Sequence, residues 1–107
     1  MSSSFEERKR AAEAKFAHDE EMKFKAQARR DKLLGLWAAE LMGLSGQEAE
    51  AYARDLVTAD LAQPGDEDVF IKLRADFNEK GVNISDEEIR AKMDELLVVA
   101  YEELSNA

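Results

Sequence analysis

The side chains able to do chemistry are few and widely spaced. His18 stands in the string HDEE, yet a zinc hydrolase needs a second His one helical turn on, as in HExxH, and the chain has one His in all. Asp66, Glu67 and Asp68 form an acidic triplet that lacks the alternating ligands and the closing Glu of a calcium loop. Acidic residues at a helix N-terminus explain them more simply. Arg29, Arg30 and Lys32 beside Trp37 are the remaining candidates, since guanidinium groups and an indole can seat a phosphate-bearing ligand such as ATP or ADP, and Gly35 leaves room for a groove. The plainer reading is stronger. These cations balance Asp31, Glu20 and Glu21 on a solvated helix face, nothing nearby supplies a backbone nest for an anion, Gly35 permits close helix packing, and Trp37 belongs to a core. No Gly-rich phosphate loop, serine elbow or Cys–His pair occurs. The residues thus argue against an enzyme, a catalytic metal or a resident cofactor, and toward a protein that works by contact.

The elements carrying these residues divide by charge. Residues 1–32 hold nine Lys or Arg against seven Asp or Glu, a net +2, whereas residues 33–107 hold six against 17, a net −11, and the chain totals −9. Confinement of the basic excess to the front third marks an interaction tail. The acidic remainder is unsuited to nucleic acid, because phosphate binding requires a clustered basic face. At 107 residues and 45% hydrophobic composition the chain suits one domain with one modest core. The absence of cysteine excludes disulfides and thiolate metal sites, and fits a reducing, cytoplasmic setting. No apolar run approaches the ~20 residues that span a bilayer, and MSSSFEERKR lacks the apolar centre of a signal peptide. Membrane association is therefore expected only through a partner.

Hydrophobic spacing predicts an all-α fold. Ser4 before Phe5, Glu6 and Glu7 suits the start of a first helix, in which Phe5, Ala12 and Phe16 fall within about 40° of one another. Two aromatics and one alanine are too little to hold that segment on a core. A richer stripe follows, with Leu34, Trp37, Ala38 and Leu41 on one face, flanked by Leu33 and continued backward only through Met22 and Ala26. Phe24 lies off it and is the aromatic least easily explained. Gly43 is placed to end this helix in a left-handed cap, and Ser45 with Glu48 spells an S-x-x-E box for the next, near 46–61, which carries Ala49, Tyr52, Ala53, Leu56 and Val57. Pro64 and Gly65 break it, and Asp66 is expected to cap a third helix bearing Val69, Phe70, Leu73 and Phe77. Gly81 closes that one, and Ser85 with Glu88 opens a fourth with Ile89, Met93, Leu96, Leu97, Ala100 and Leu104. Short loops favour antiparallel neighbours. The expectation is a four-helix bundle over 20–107 bearing a mobile or conditionally helical N-terminal arm over 1–19.

At this point the strings EAKFAHDEE, FKAQARRDKLLGLWAAELMGL, AEAYARDLV and GDEDVF resemble the zeta subunit family of bacterial rotary (F-type) ATP synthases, over nearly the whole chain from Phe5 to about Tyr101. The resemblance implies a four-helix bundle with an N-terminal inhibitory segment. In that family the segment enters the catalytic head as a helix, between the large nucleotide-binding subunits and beside the central shaft, and blocks ATP hydrolysis. It also implies a cytoplasmic regulatory subunit, peripheral to the inner membrane and monomeric when free. The arm maps onto Phe5 through His18 and Asp19, with Glu13, Ala14, Lys15, Phe16, Ala17 and His18 matching most closely, while the opening SSSFEE departs from the family pattern.

The residues by themselves agree with that mapping. Phe5, Ala12 and Phe16 on one stripe, with Arg8, Lys9, Arg10 and Lys15 around it, suit a helix that buries aromatics in a cleft and pairs its cations with carboxylates. Phe16 is the expected anchor of that helix, because the downstream stripe reaches back through Lys23, Gln27 and Arg30, which are unfit to bury it. Two further functions stay open here. One is a nucleotide-sensing bundle that uses Arg29, Arg30, Lys32, Gly35 and Trp37; the other is a plain adaptor that uses only the acidic bundle surface.

Overall fold

The computed structural model describes residues 4–15, 20–62 and 66–106, and all of its regular structure is helical: α1 Ser4–Lys15, α2 Glu20–Leu41, α3 Gly46–Ala62, α4 Glu67–Lys80 and α5 Asp86–Ser105. The helix expected near 46–61 is α3, and those expected before Gly43, between Asp66 and Gly81, and after Ser85 are α2, α4 and α5. The arm adds a fifth helix, and it lies against α5 instead of standing away from the body. The expected four helices become five among the described residues. For the α1 stripe it is α5, not α2 alone, that supplies apolar surface and carboxylates.

The punctuation is largely as the residues dictate. At Gly43 (φ +79°) the Gly43 N–H donates to the Glu40 carbonyl at 3.1 Å and the Leu44 N–H to Ala39 at 2.9 Å, the paired bonds of a left-handed helix stop. The same arrangement closes α4, where the N–H groups of Gly81 and Val82 donate to Asn78 and Phe77 at 3.3 and 2.9 Å. At the start of α5 the Ser85 hydroxyl accepts from the Glu88 N–H at 3.1 Å and the Glu88 carboxylate accepts from the Ser85 N–H at 3.3 Å, a reciprocal cap. The first S-x-x-E string behaves differently: at α3 the Glu48 N–H donates to the Ser45 carbonyl at 3.2 Å, a backbone bond.

α2 is the central element, packed mainly on α3 and α5 and more lightly on α4. Gly35 is what lets α3 come close, since a Cβ there would stand 2.6 Å from the Ala53 Cα. The main core joins Leu34 and Ala38 of α2, Leu56 of α3, Val69, Leu73 and Phe77 of α4, and Ile89 and Met93 of α5, with the Trp37 ring edge-on to Phe77 at 5.7 Å. Leu41, expected on the buried stripe, is 44% exposed at the rim, and Phe24 is 56% exposed. A smaller cluster of Ala26, Leu97, Ala100 and Tyr101 closes the other end, with Ala12, Met22 and Leu104 against it.

The short α4 is held by polar straps as well as by its apolar face. The Tyr52 hydroxyl donates to Asp76 at 2.6 Å, and burial together with this bond raises the Tyr52 pKa. Arg74 donates to the Ile84 carbonyl and to Asp86, both at 2.8 Å, and Arg90 pairs with Glu67 while lying 3.9 Å over the Phe70 ring.

Candidate functional site

α1 presents two different sides. Toward the body, half-buried Phe5 lines a groove together with Trp37, Leu41, Ile84 and Ala91, and Ala12 packs on the Tyr101 cluster. The Lys9 ammonium meets the Asp94 carboxylate at 2.7 Å, with each side chain less than a quarter exposed, and Arg8 meets Glu102 at 2.7 Å, more than half exposed, while reaching 5.6 Å over the Phe5 ring. Glu13 comes near Tyr101, whose phenol pKa is raised first by burial and then by that negative charge. Toward solvent, Arg10 pairs with Glu6 one turn back at 2.8 Å, and Ala11 and Ala14 are exposed. None of the described α1 side chains is fully buried. Phe16, His18, Asp19 and the Lys15 side chain, also expected on this arm, lie outside the described residues.

The second set of candidates does not converge. Arg29 faces α5 and pairs with Glu103 at 3.5 Å. Lys32 is exposed and lines a groove of about 340 Å³ on the α3 side with Glu50, Arg54 and Thr58. Trp37 faces Phe77, and Gly35 is filled by the Ala53 backbone, as close helix packing requires. Arg30 is the largest departure from expectation: it is 1% exposed, neither on a solvated face nor unfit for burial. Its Nε donates to Asp31 Oδ1 and its Nη2 to Asp66 Oδ1, both at 2.8 Å, with Asp60 at 3.9 Å. Burial works to lower the Arg30 pKa, but the Asp31 and Asp66 charges and hydrogen bonds outweigh it and leave the guanidinium firmly charged. Asp66 therefore serves Arg30 in place of capping α4 through its side chain, which makes no cap bond.

Within this cluster Asp31 is fully buried and its Oδ2 meets no donor. Burial, then hydrogen bonding to Asp60, pushes its carboxyl up to about 8 against the pull of Arg30. A proton on Asp31 resolves the orphan oxygen, since the neutral acid donates to the Asp60 carboxylate while its other oxygen still accepts from Arg30. The cluster ties α2 to α3 and to the residue that opens α4. Its chemistry is structural. Among the described residues no group of three His, Cys, Asp or Glu is arranged to hold a metal ion.

Sequence reasoning missed Asp94, Glu102 and Tyr101, the acceptors and the surface that receive α1. The available signal was the charge contrast between a basic front third and an acidic remainder, which already favoured contact between the two. No described helix is long and apolar enough to cross a membrane.

Residues 1–103 match the family described as ATPase inhibitor subunit zeta. A chain whose structure was solved by NMR in solution is 47% identical, with a TM-score of 0.70, over 79% of this chain and 96% of that one. No curated protein matches the chain. With residues 1–103 of its 107 matched, the chain belongs to the zeta family of ATPase inhibitor subunits.

Proposed function

We propose that this chain is a non-catalytic, regulatory subunit that blocks ATP hydrolysis by the cytoplasmic catalytic head of a rotary ATP synthase. Its N-terminal helix enters that head between the large nucleotide-binding subunits, beside the central shaft. The observation that supports this reading is the contrast between α1 and the rest. Among the described residues, the buried side chains of the main core all come from α2 to α5, whereas α1 adds only half-buried contacts and charged pairs to the outside of the body. A helix so attached can leave without dismantling the core, and its Phe5, Arg8, Lys9 and Arg10 then suit an acidic cleft with apolar pockets. The remaining helices act as a four-helix anchor, and the free protein is a monomer. The nucleotide-sensing alternative draws no support from five candidate residues spread around α2.

ATP hydrolysis by the cognate catalytic head tests the reading when measured with the full chain, with a chain lacking residues 1–19, and with a peptide of residues 1–19. Inhibition by the full chain, its loss on truncation and weak inhibition by the peptide are expected. Undiminished inhibition by the truncated chain would return the function to the adaptor surface of the bundle.

A further inference from the structure

We propose that α1 docked on α5 is a self-latched, closed state of the inhibitor, in which Asp94 and Glu102 occupy the same cations that the arm offers to its target, so that α5 sets inhibitory potency. This rests on the reading of α1 as the inhibitory arm and adds its regulation. A helix cannot lie on α5 and inside a partner at once, and every contact it makes at home must be released first.

The geometry ranks those contacts. The Lys9–Asp94 pair is the more sheltered, its side chains 23% and 22% exposed at 2.7 Å, so water and salt screen it least. Arg8–Glu102 has the same distance at 53% and 56% exposure and contributes less. Ala12 on the Tyr101 cluster and Phe5 at the groove it lines with Trp37 complete the seat. With no described α1 side chain fully buried, the latch is shallow, and closed and open forms exchange. A target that binds only the open arm is met with an apparent affinity reduced by the open fraction, so weakening the latch strengthens inhibition even though no contact with the target is gained. Asp94 and Glu102 lie on α5, so changing them leaves the arm's own sequence intact.

The test uses the full chain carrying Asp94→Asn with Glu102→Gln, and in a second variant Asp94→Lys, which sets like charge against Lys9. Docking in the free protein is read from the emission of Trp37, the single tryptophan, which lines one groove with Phe5, and from amide exchange at Lys9 to Ala12. Inhibition is read from hydrolysis titrations. The expected result is faster exchange and red-shifted emission in both variants, with half-inhibition at about three- to tenfold lower concentration for the neutral variant and lower still for Asp94→Lys. Unchanged exchange in both, or faster exchange with unchanged or weaker inhibition, overturns the latch. Arg10→Glu with Ala14→Glu, on the exposed side of α1, separates this from failure of the arm reading. That variant should stay docked and inhibit poorly, and full inhibition by it overturns the arm and the latch together.

Discussion

At the scale of single residues, the Arg30 cluster makes the sharpest statement. Three carboxylates around one guanidinium would leave buried negative charge unbalanced, and the proton assigned to Asp31 reduces that excess. An acid whose folded value lies above its unfolded one keeps a proton that the unfolded chain has lost. The stability this carries is full below about 3.8 and is drained as pH rises to about 8, at a slope of up to about 1.4 kcal/mol per pH unit. Asp31→Asn reproduces the neutral acid, accepting from Arg30 and donating to Asp60. It should flatten that slope and make the protein more stable than the parent at pH 8, with the gain shrinking toward pH 4. Denaturant melts across that range check it; a parallel fall in stability at every pH would show Asp31 ionised. Arg30→Met should instead cost about 3–5 kcal/mol, because it strands the carboxylates, and a loss below about 1 kcal/mol in the same melts would contradict the buried pairing.

At the scale of elements, the α2–α3 contact depends on one missing methyl group. A Cβ at Gly35 meets backbone of Ala53, which cannot swing aside as a side chain would. Gly35→Ala therefore should destabilise by about 1–2 kcal/mol, since overpacking of about 1–3 kcal/mol outweighs the gain of up to about 1 kcal/mol in helix propensity. A thermal melt decides this, and a raised midpoint would mean that α3 stands further off. At α5 the reciprocal Ser85–Glu88 cap predicts a loss of about 1 kcal/mol for Ser85→Ala, whereas Ser45→Ala should cost less, because α3 begins on a backbone bond. Comparing the two variants in one melt series tests the distinction.

At the scale of the whole molecule, the main core and α1 share no buried residue among those described. The main cluster contains no α1 residue, so deletion of residues 1–15 should leave one cooperative unfolding transition, with a loss of no more than about 2 kcal/mol from uncovering the Tyr101 end. Calorimetry checks it. A broad or multistep transition would show that α1 is integral to the fold.

Local chemistry was enough to read the all-α class, the extents of α2 to α5, the glycine stops at Gly43 and Gly81, and the Ser85 cap. Each depends on interactions within a few residues: periodicity places an apolar face, a glycine accepts positive φ, and a serine reaches the N–H three residues on. The family strings added the expectation of an inhibitory arm. Pairing across the fold was not legible. Arg30 reads as a surface cation until Asp60 and Asp66 are brought to it from α3 and the start of α4, and Asp66 reads as a cap until Arg30 claims it. Likewise, Phe5, Lys9 and Ala12 read as an arm without a seat, because Asp94, Tyr101 and Glu102 lie more than 80 residues along the chain, and only the packing of α5 beside α2 sets them in reach. Spacing along the chain determines which helices form. Which charges meet is decided by the surfaces those helices bury against one another.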